Sequence, residues 1–300
     1  MNQTKLYIIG NGFDLWHGIP SSLGDFKKYA AQMAQEVYRE VEEYLPVDEN
    51  WGDLELALAE LDAEQLTENL GHYMTSYSND DWSDSGHHDF QYEVTNVVER
   101  LSTNLHALFA DWVRKLPIPT RYNAPKLLSH VDTQALFLTF NYTDTLSSVY
   151  GVNPSHILFI HGRAAQPNDE LVLGHAWDPQ SRQSLNDRPD IEEVDTRQVE
   201  ANNIIDDYFS STFKNSADII ARYSSSFDAL TSVEKVVVLG HSLSSVDAAY
   251  FHALLEEPAV ANAQWLVAIR AEKEREEKQQ RLAEYGLCLD RTSYMFWEDA

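Results

Sequence analysis

The chain predicts an α/β fold with a largely parallel sheet, and three observations carry that expectation. Short contiguous apolar runs, among them "KLYII", "ALFLTF", "HILFI" and "KVVVL", read as strands buried on both faces. Between them lie longer stretches with apolar residues every three or four positions, the spacing of amphipathic helices. Strands alternating with helices in this way are the pattern of a parallel sheet covered by helices.

In chain order, the first strand covers 5–9. Helical spacing follows through Phe26, Tyr29, Met33, Val37, Val41 and Tyr44, then Leu54 to Leu70, then Phe90 to Trp112, with a polar loop expected over 76–89. Strands are expected at 135–140 and 156–160, and a short one at 171–175. Residues 176–200 read as a charged loop and 202–230 as mainly helical. A strand at 235–240, a helix at 246–256, a strand at 264–270, a charged helix at 271–285 ending at the C-cap Gly286, and an edge strand at 293–297 complete the reading. The expected organisation is one domain over 1–300, with a largely helical insertion over 26–134, between the first and second strands, and a second insertion over 176–231.

Composition narrows the function classes. The 300 residues are 43% hydrophobic and 11% aromatic, enough for a sizeable core. With 48 acidic against 22 basic residues, the formal net charge is −26. Such a surface repels phosphate backbones and weighs against nucleic acid as a partner. The single cysteine, Cys288, excludes an intrachain disulfide and a Cys-rich zinc site. His87 and His88 have no third ligand near them in sequence, so no metal is expected. No apolar run approaches the ~20 residues of a membrane span, so the expectation is a cytoplasmic protein that does not engage a membrane.

Four strand ends run into polar clusters. "KLYII" leads into "GNGFDLWHGIP", where Gly10 and Gly12 allow a sharp turn and close approach to a ligand. "FLTF" leads into Asn141-Tyr142-Thr143-Asp144, "ILFI" into His161-Gly162-Arg163, and "KVVVLG" into His241-Ser242-Leu243. In a parallel sheet these ends share one edge, where ligands of open α/β folds bind.

These stretches resemble sirtuin motifs, in the same order. "GNGFDLWHGIP" is similar to the GAG-[IV]-S-x-x-x-GIP signature at Gly10, Gly12, Gly18, Ile19 and Pro20. "TFNYTD" is similar to T-Q-N-I-D with Asn141 on its Asn, "FIHG" to L-H-G with His161 on the catalytic His, and "LGHSL" to G-T-S-L. A closer resemblance is to the AbiH family of phage abortive-infection proteins, whose opening pattern I-x-G-N-G-F-D-L-x-H-G-x-P is almost reproduced. "WGDLE", "FNYTDTL", "VVLGHSLSSVD" and a Lys after "DDYFSSTF" extend it over about residues 5–270.

The AbiH resemblance implies phage defence; the sirtuin resemblance implies a sirtuin-like, Rossmann-like fold and NAD as substrate or ligand. It places Asn141, His161 and Asp144 in catalysis, and Gly10, Asn11, Gly12, Phe13, Asp14, His17, Gly240, His241 and Ser242 around the nucleotide. The sirtuin zinc ribbon is missing, which turns the expectation from deacetylation to NAD hydrolysis. A non-catalytic nucleotide sensor and a hydrolase of another nucleotide are the alternatives. A phage-derived trigger and a homo-oligomer remain open. His17 either lines the pocket or packs on the following helix; Glu55 is expected on a solvated helix face and Lys214 on the surface.

Overall fold

A computed structural model describes residues 3–74 and 88–300; residues 76–87 of the expected polar loop, His87 included, lie outside them. The chain divides into two compact units. The first comprises Met1–Ser22, Trp112–Val172 and Asn215–Ala300, and the second Leu23–Asp111 and Leu173–Lys214.

The first unit is built on six parallel strands: β1 (Lys5–Ile9), β2 (Leu136–Thr139), β3 (Ile157–Phe159), β4 (Lys235–Leu239), β5 (Gln264–Ile269) and β6 (Thr292–Phe296). Their spatial order is β3-β2-β1-β4-β5-β6. Ile8 pairs with Leu138 on one side and Val238 on the other. Successive residues of a strand point to opposite faces, so a run with no polar residue must be covered twice. Leu6, Ile8, Val236, Val238 and Leu138 pack on one face with Tyr250, Phe251 and Leu254 of the helix Ala248–Glu256 and Leu282 of Lys273–Glu284. Tyr7, Ile9, Phe137 and Leu239 pack on the other with Phe13, Leu146 and Trp297, and the Tyr7 and Phe137 rings stack at 4.9 Å. This is the parallel, helix-covered sheet expected from the alternating runs, in a Rossmann-like arrangement.

The second unit is helical. Its apolar interior includes Phe26, Trp51, Val94, Leu105, Ile205 and Phe209, and the helix Asp89–Glu99 packs on Thr196–Ser211. A five-residue π-helical turn, Arg100–Asn104, follows Asp89–Glu99, and Arg100 bonds Glu40 there at 2.7 Å.

Three local expectations differ. The segment 171–175 is not a strand: only His175 bridges, to Phe213, because helices ending at Ser211 and starting at Ser216 leave four residues to pair with. The expected loop over 176–200 ends early, since Asp195 accepts from Arg197 N at 2.9 Å and starts a helix at Thr196. The charged helix expected over 271–285 runs from Lys273 to Glu284 and keeps a buried face, on which a charged residue, Lys278, lies with Leu282.

Candidate functional site

The strand order reverses between β1 and β4, which lie side by side while the chain proceeds outward from each. That is a topological switch point, and ligands of open α/β sheets bind beyond the carboxyl ends of the strands there. The turns after these two strands interlock. Gly12 N donates to Gly240 O at 2.9 Å, Gly10 N to Leu239 O at 3.0 Å, and Phe13 N to Gly10 O at 2.9 Å. A Cβ on Gly10 would lie 2.4 Å from His241 Cα, and one on Gly240, at φ +75, 2.3 Å from Phe13 N. The glycines are therefore required by backbone meeting backbone. Three N–H groups that a pyrophosphate could have used are bonded to the chain's own carbonyls. A Cβ on Gly12 would also meet the exposed Arg270, whose Nη2 lies 2.8 Å from that position, at the end of β5.

Asn11 and Ser21 close the rest of the turn, with Asn11 Nδ2 donating to Ser21 O and Ser21 Oγ to Asn11 Oδ1. His17 packs inward: Nδ1 lies 2.7 Å from Phe13 O and Nε2 2.6 Å from the Tyr150 hydroxyl, which also accepts from Leu128 N. The carbonyl can only accept, so Nδ1 carries the proton and Nε2 accepts from the tyrosine. Burial lowers the His17 pKa, in keeping with a neutral ring.

Asp14 lies in the short helix Asn11–Trp16 that follows β1, and Asn141 just beyond the end of β2. Asp14 is 1% exposed, and burial raises its pKa from 3.8 to about 6, against the opposing pull of Thr143, Thr145 and Asn141. Thr143 Oγ1 donates to Asp14 Oδ2 at 2.6 Å. Asp14 Oδ1 and Asn141 Nδ2, both buried, complete no hydrogen bond of standard length and angle among the described residues, yet the Asn141 amide lies near enough to draw the Asp14 pKa down. A buried acceptor and donor whose bond is imperfectly made are costly to leave in an interior. Asp144, next along, holds Arg163 in a fork, with bonds of 2.6 and 2.9 Å.

His161, at the end of β3, and His241, at the end of β4, face one carboxylate. His161 Nε2 lies 3.6 Å from Asp247 Oδ1, and His241 Nε2 lies 3.4 Å from Asp247 Oδ2. All three are buried, and the Phe140 ring meets both imidazoles edge to face. Leu243 N donates to His241 Nδ1 at 2.9 Å, and Leu243 holds φ at +60, a left-handed conformation rare for a bulky residue. Tyr285 anchors this loop through Leu243 O and Ser244 O, and Lys278 through His241 O. Ser242 is exposed.

Residues 6–269 match the family model described as Bacteriophage abortive infection AbiH. The chain belongs to the AbiH family. No curated protein matches it. Membership points to abortive-infection defence against phage. No helix among the described residues of this AbiH protein is long and apolar enough to cross a membrane. Nor do three or more His, Cys, Asp or Glu among them converge as a metal site.

Asp247 and the buried Lys278 were not anticipated from sequence. Asp247 follows Ser244-Ser245, a helix-start signature, and Ser244 does cap the turn there. In the second unit, Lys214 is no surface residue: its side chain is fully buried and its Nζ donates to Glu55 Oε1 at 3.2 Å. Glu55 Oε1 also receives Gly174 N at 3.5 Å, so its carboxylate organises backbone instead of lying on a wholly solvated face.

Proposed function

We propose that this AbiH protein binds NAD at the carboxyl edge of the sheet and, once triggered during infection, hydrolyses it to nicotinamide and ADP-ribose. One observation carries the reading. Asp14, in the short helix Asn11–Trp16 after β1, and Asn141 and His161, just after β2 and β3, follow three adjacent strands at the carboxyl edge of the sheet, and all are buried polar side chains.

The chemistry suits those groups. The C1′–N bond to nicotinamide breaks with its electron pair going to the departing nitrogen, and positive charge develops on the ribose. A water oxygen forms the new bond to C1′, and its proton passes to His161 and then to solvent. The Asn141 amide orients the water or a ribose hydroxyl, and ionised Asp14 stabilises the developing cation. Gly10, Gly12 and Phe13 have committed their N–H groups, so phosphate charge falls to Arg270, above Gly12.

Burial of His161 at 3% and Asp14 at 1% exposure favours a second reading, in which the edge holds a nucleotide and reports it without turnover. Incubation with NAD, NADP and ATP, with and without lysate of phage-infected cells, followed by chromatography, separates the two. Release of nicotinamide and ADP-ribose that falls ~10²–10⁴-fold in His161→Ala supports hydrolysis. Full turnover in that variant overturns the mechanism. Ligand-induced stabilisation with no product under any condition favours the sensor.

A further inference from the structure

We infer that Asp247 is a positioning residue that holds His161 and His241 in the tautomer protonated at Nε2, leaving Nδ1 of His161 as the nitrogen that accepts a proton. Two independent observations assign His241. Its Nδ1 receives the Leu243 N–H, and a backbone N–H cannot accept, so in the neutral ring Nδ1 is bare and Nε2 carries the hydrogen. That same Nε2 faces Asp247 Oδ2 at 3.4 Å. An ionised carboxylate has only lone pairs, so the nitrogen turned to it must be the protonated one, and the two observations agree.

His161 follows from the other oxygen of the same carboxylate. Its Nε2 faces Asp247 Oδ1 at 3.6 Å. Both separations exceed the ~2.7–2.9 Å of a charge-assisted hydrogen bond. Contacts of this kind are often long without substrate and shorten in the reacting complex.

The placement of Asp247 is itself held. Asp247 N donates to Ser244 O at 3.0 Å, Ser244 caps the turn Ser245–Asp247, and Tyr285 bonds the carbonyls of Leu243 and Ser244. A side chain with 10% exposure has lost most of its water, and burying a carboxylate is expensive unless donors replace that water. Two imidazole nitrogens, one facing each oxygen at 3.6 and 3.4 Å, stand where such donors belong, although His161 Nε2 completes no hydrogen bond of standard length and angle among the described residues. Asp247 thus acts through His161 and need not touch substrate.

The tautomer assignment stands on geometry alone; the consequence for turnover rests on the NAD-hydrolase reading. The test therefore uses two readouts. The full chain is labelled with ¹⁵N-histidine, and long-range ¹H–¹⁵N spectra are recorded near neutral pH, with His161→Gln and His241→Gln assigning the two rings among the eleven histidines. Both should show the Nε2–H pattern in the wild type. In Asp247→Asn the amide can accept from one ring only, so one of the two should shift toward Nδ1–H or a mixture, and Asp247→Glu should restore the original pattern in part. Turnover of NAD by Asp247→Asn should fall ~10²–10⁴-fold with little change in KM, the range associated with a mispositioned acid–base group. A wild-type His161 found as Nδ1–H or as imidazolium overturns the assignment, as do unchanged tautomers in Asp247→Asn. Should Asp247→Asn fail to fold, the wild-type spectrum still decides. Nε2–H rings in a protein that never turns over NAD would retain the positioning role and discard the hydrolase.

Discussion

Replacing Asp14 by Asn should make the protein more stable at neutral pH and, on the hydrolase reading, impair turnover. The Asp14 carboxyl is fully enclosed, and burial raises its pKa from 3.8 to about 6. Below pH 3.8 it is neutral whether the chain is folded or not, and the contribution it makes to stability is complete. As pH rises, the unfolded chain ionises first, so stability declines from about 3.8 upward and the loss is complete once pH has passed through about 6. The interval from 3.8 to about 6, at ~1.36 kcal/mol for each pH unit, is worth about 3 kcal/mol near pH 7.5. Asn has the same shape, keeps an oxygen for the Thr143 hydroxyl, and never ionises. Urea unfolding followed by tryptophan fluorescence should show Asp14→Asn more stable than the wild type by ~1–3 kcal/mol near pH 7.5. The advantage should vanish near pH 3.5, where both side chains are neutral. The comparison of two variants cancels the general effect of pH on a chain this acidic. An Asn variant no more stable near pH 7.5, or a gain that does not shrink on acidification, would refute the reasoning.

Four further outcomes follow from the geometry. Gly10→Ala should abolish or severely weaken folding, because its methyl meets backbone at 2.4 and 2.8 Å. Gly71→Ala, with nothing within 4 Å of its added Cβ, should be neutral or stabilising by up to ~1 kcal/mol in the same denaturation assay. Tyr150→Phe strips the partner from both His17 Nε2 and Leu128 N, and should cost ~2–4 kcal/mol in that assay. Asp144→Ala and Arg163→Ala should each cost about 1 kcal/mol, their fork being partly exposed, and the double variant should cost no more than either alone.

The sheet was legible because each central strand is an unbroken apolar run, and parallelism then puts residues 10–14, 141–144, 161–163 and 240–242 on one edge without further information. The helix start at 196 was missed, although Asp195 with Gln198 three residues on is a capping pattern, obscured by the charges around it. What else escaped was tertiary. Lys278 sits in "KEREEKQQR", which reads as a solvated stretch, yet its ammonium reaches the carbonyls of His241 and Ala268. Glu55 and Lys214 are 159 residues apart and each resembles an ordinary surface charge until the fold joins them. Asp247 was hidden by a role it also has locally, since an acid after Ser-Ser is what a helix start looks like.

The interlocked turns at Gly10, Gly12 and Gly240 bear on how this signature is inherited. For Gly10 and Gly240 the atoms that a side chain would strike are all main chain, so no change of a neighbouring residue's identity can make room for it. Selection for folding alone is enough to hold those glycines through any divergence of activity. A descendant that had lost any such chemistry would still display the glycine that follows its first strand and the one that follows its fourth. Asp14, Asn141, His161 and Asp247 are different: the fold does not demand a raised pKa, a buried amide or a carboxylate between two imidazoles. On the hydrolase reading proposed above, drift at those four positions, with the glycines intact, would tell an inert relative from an active one.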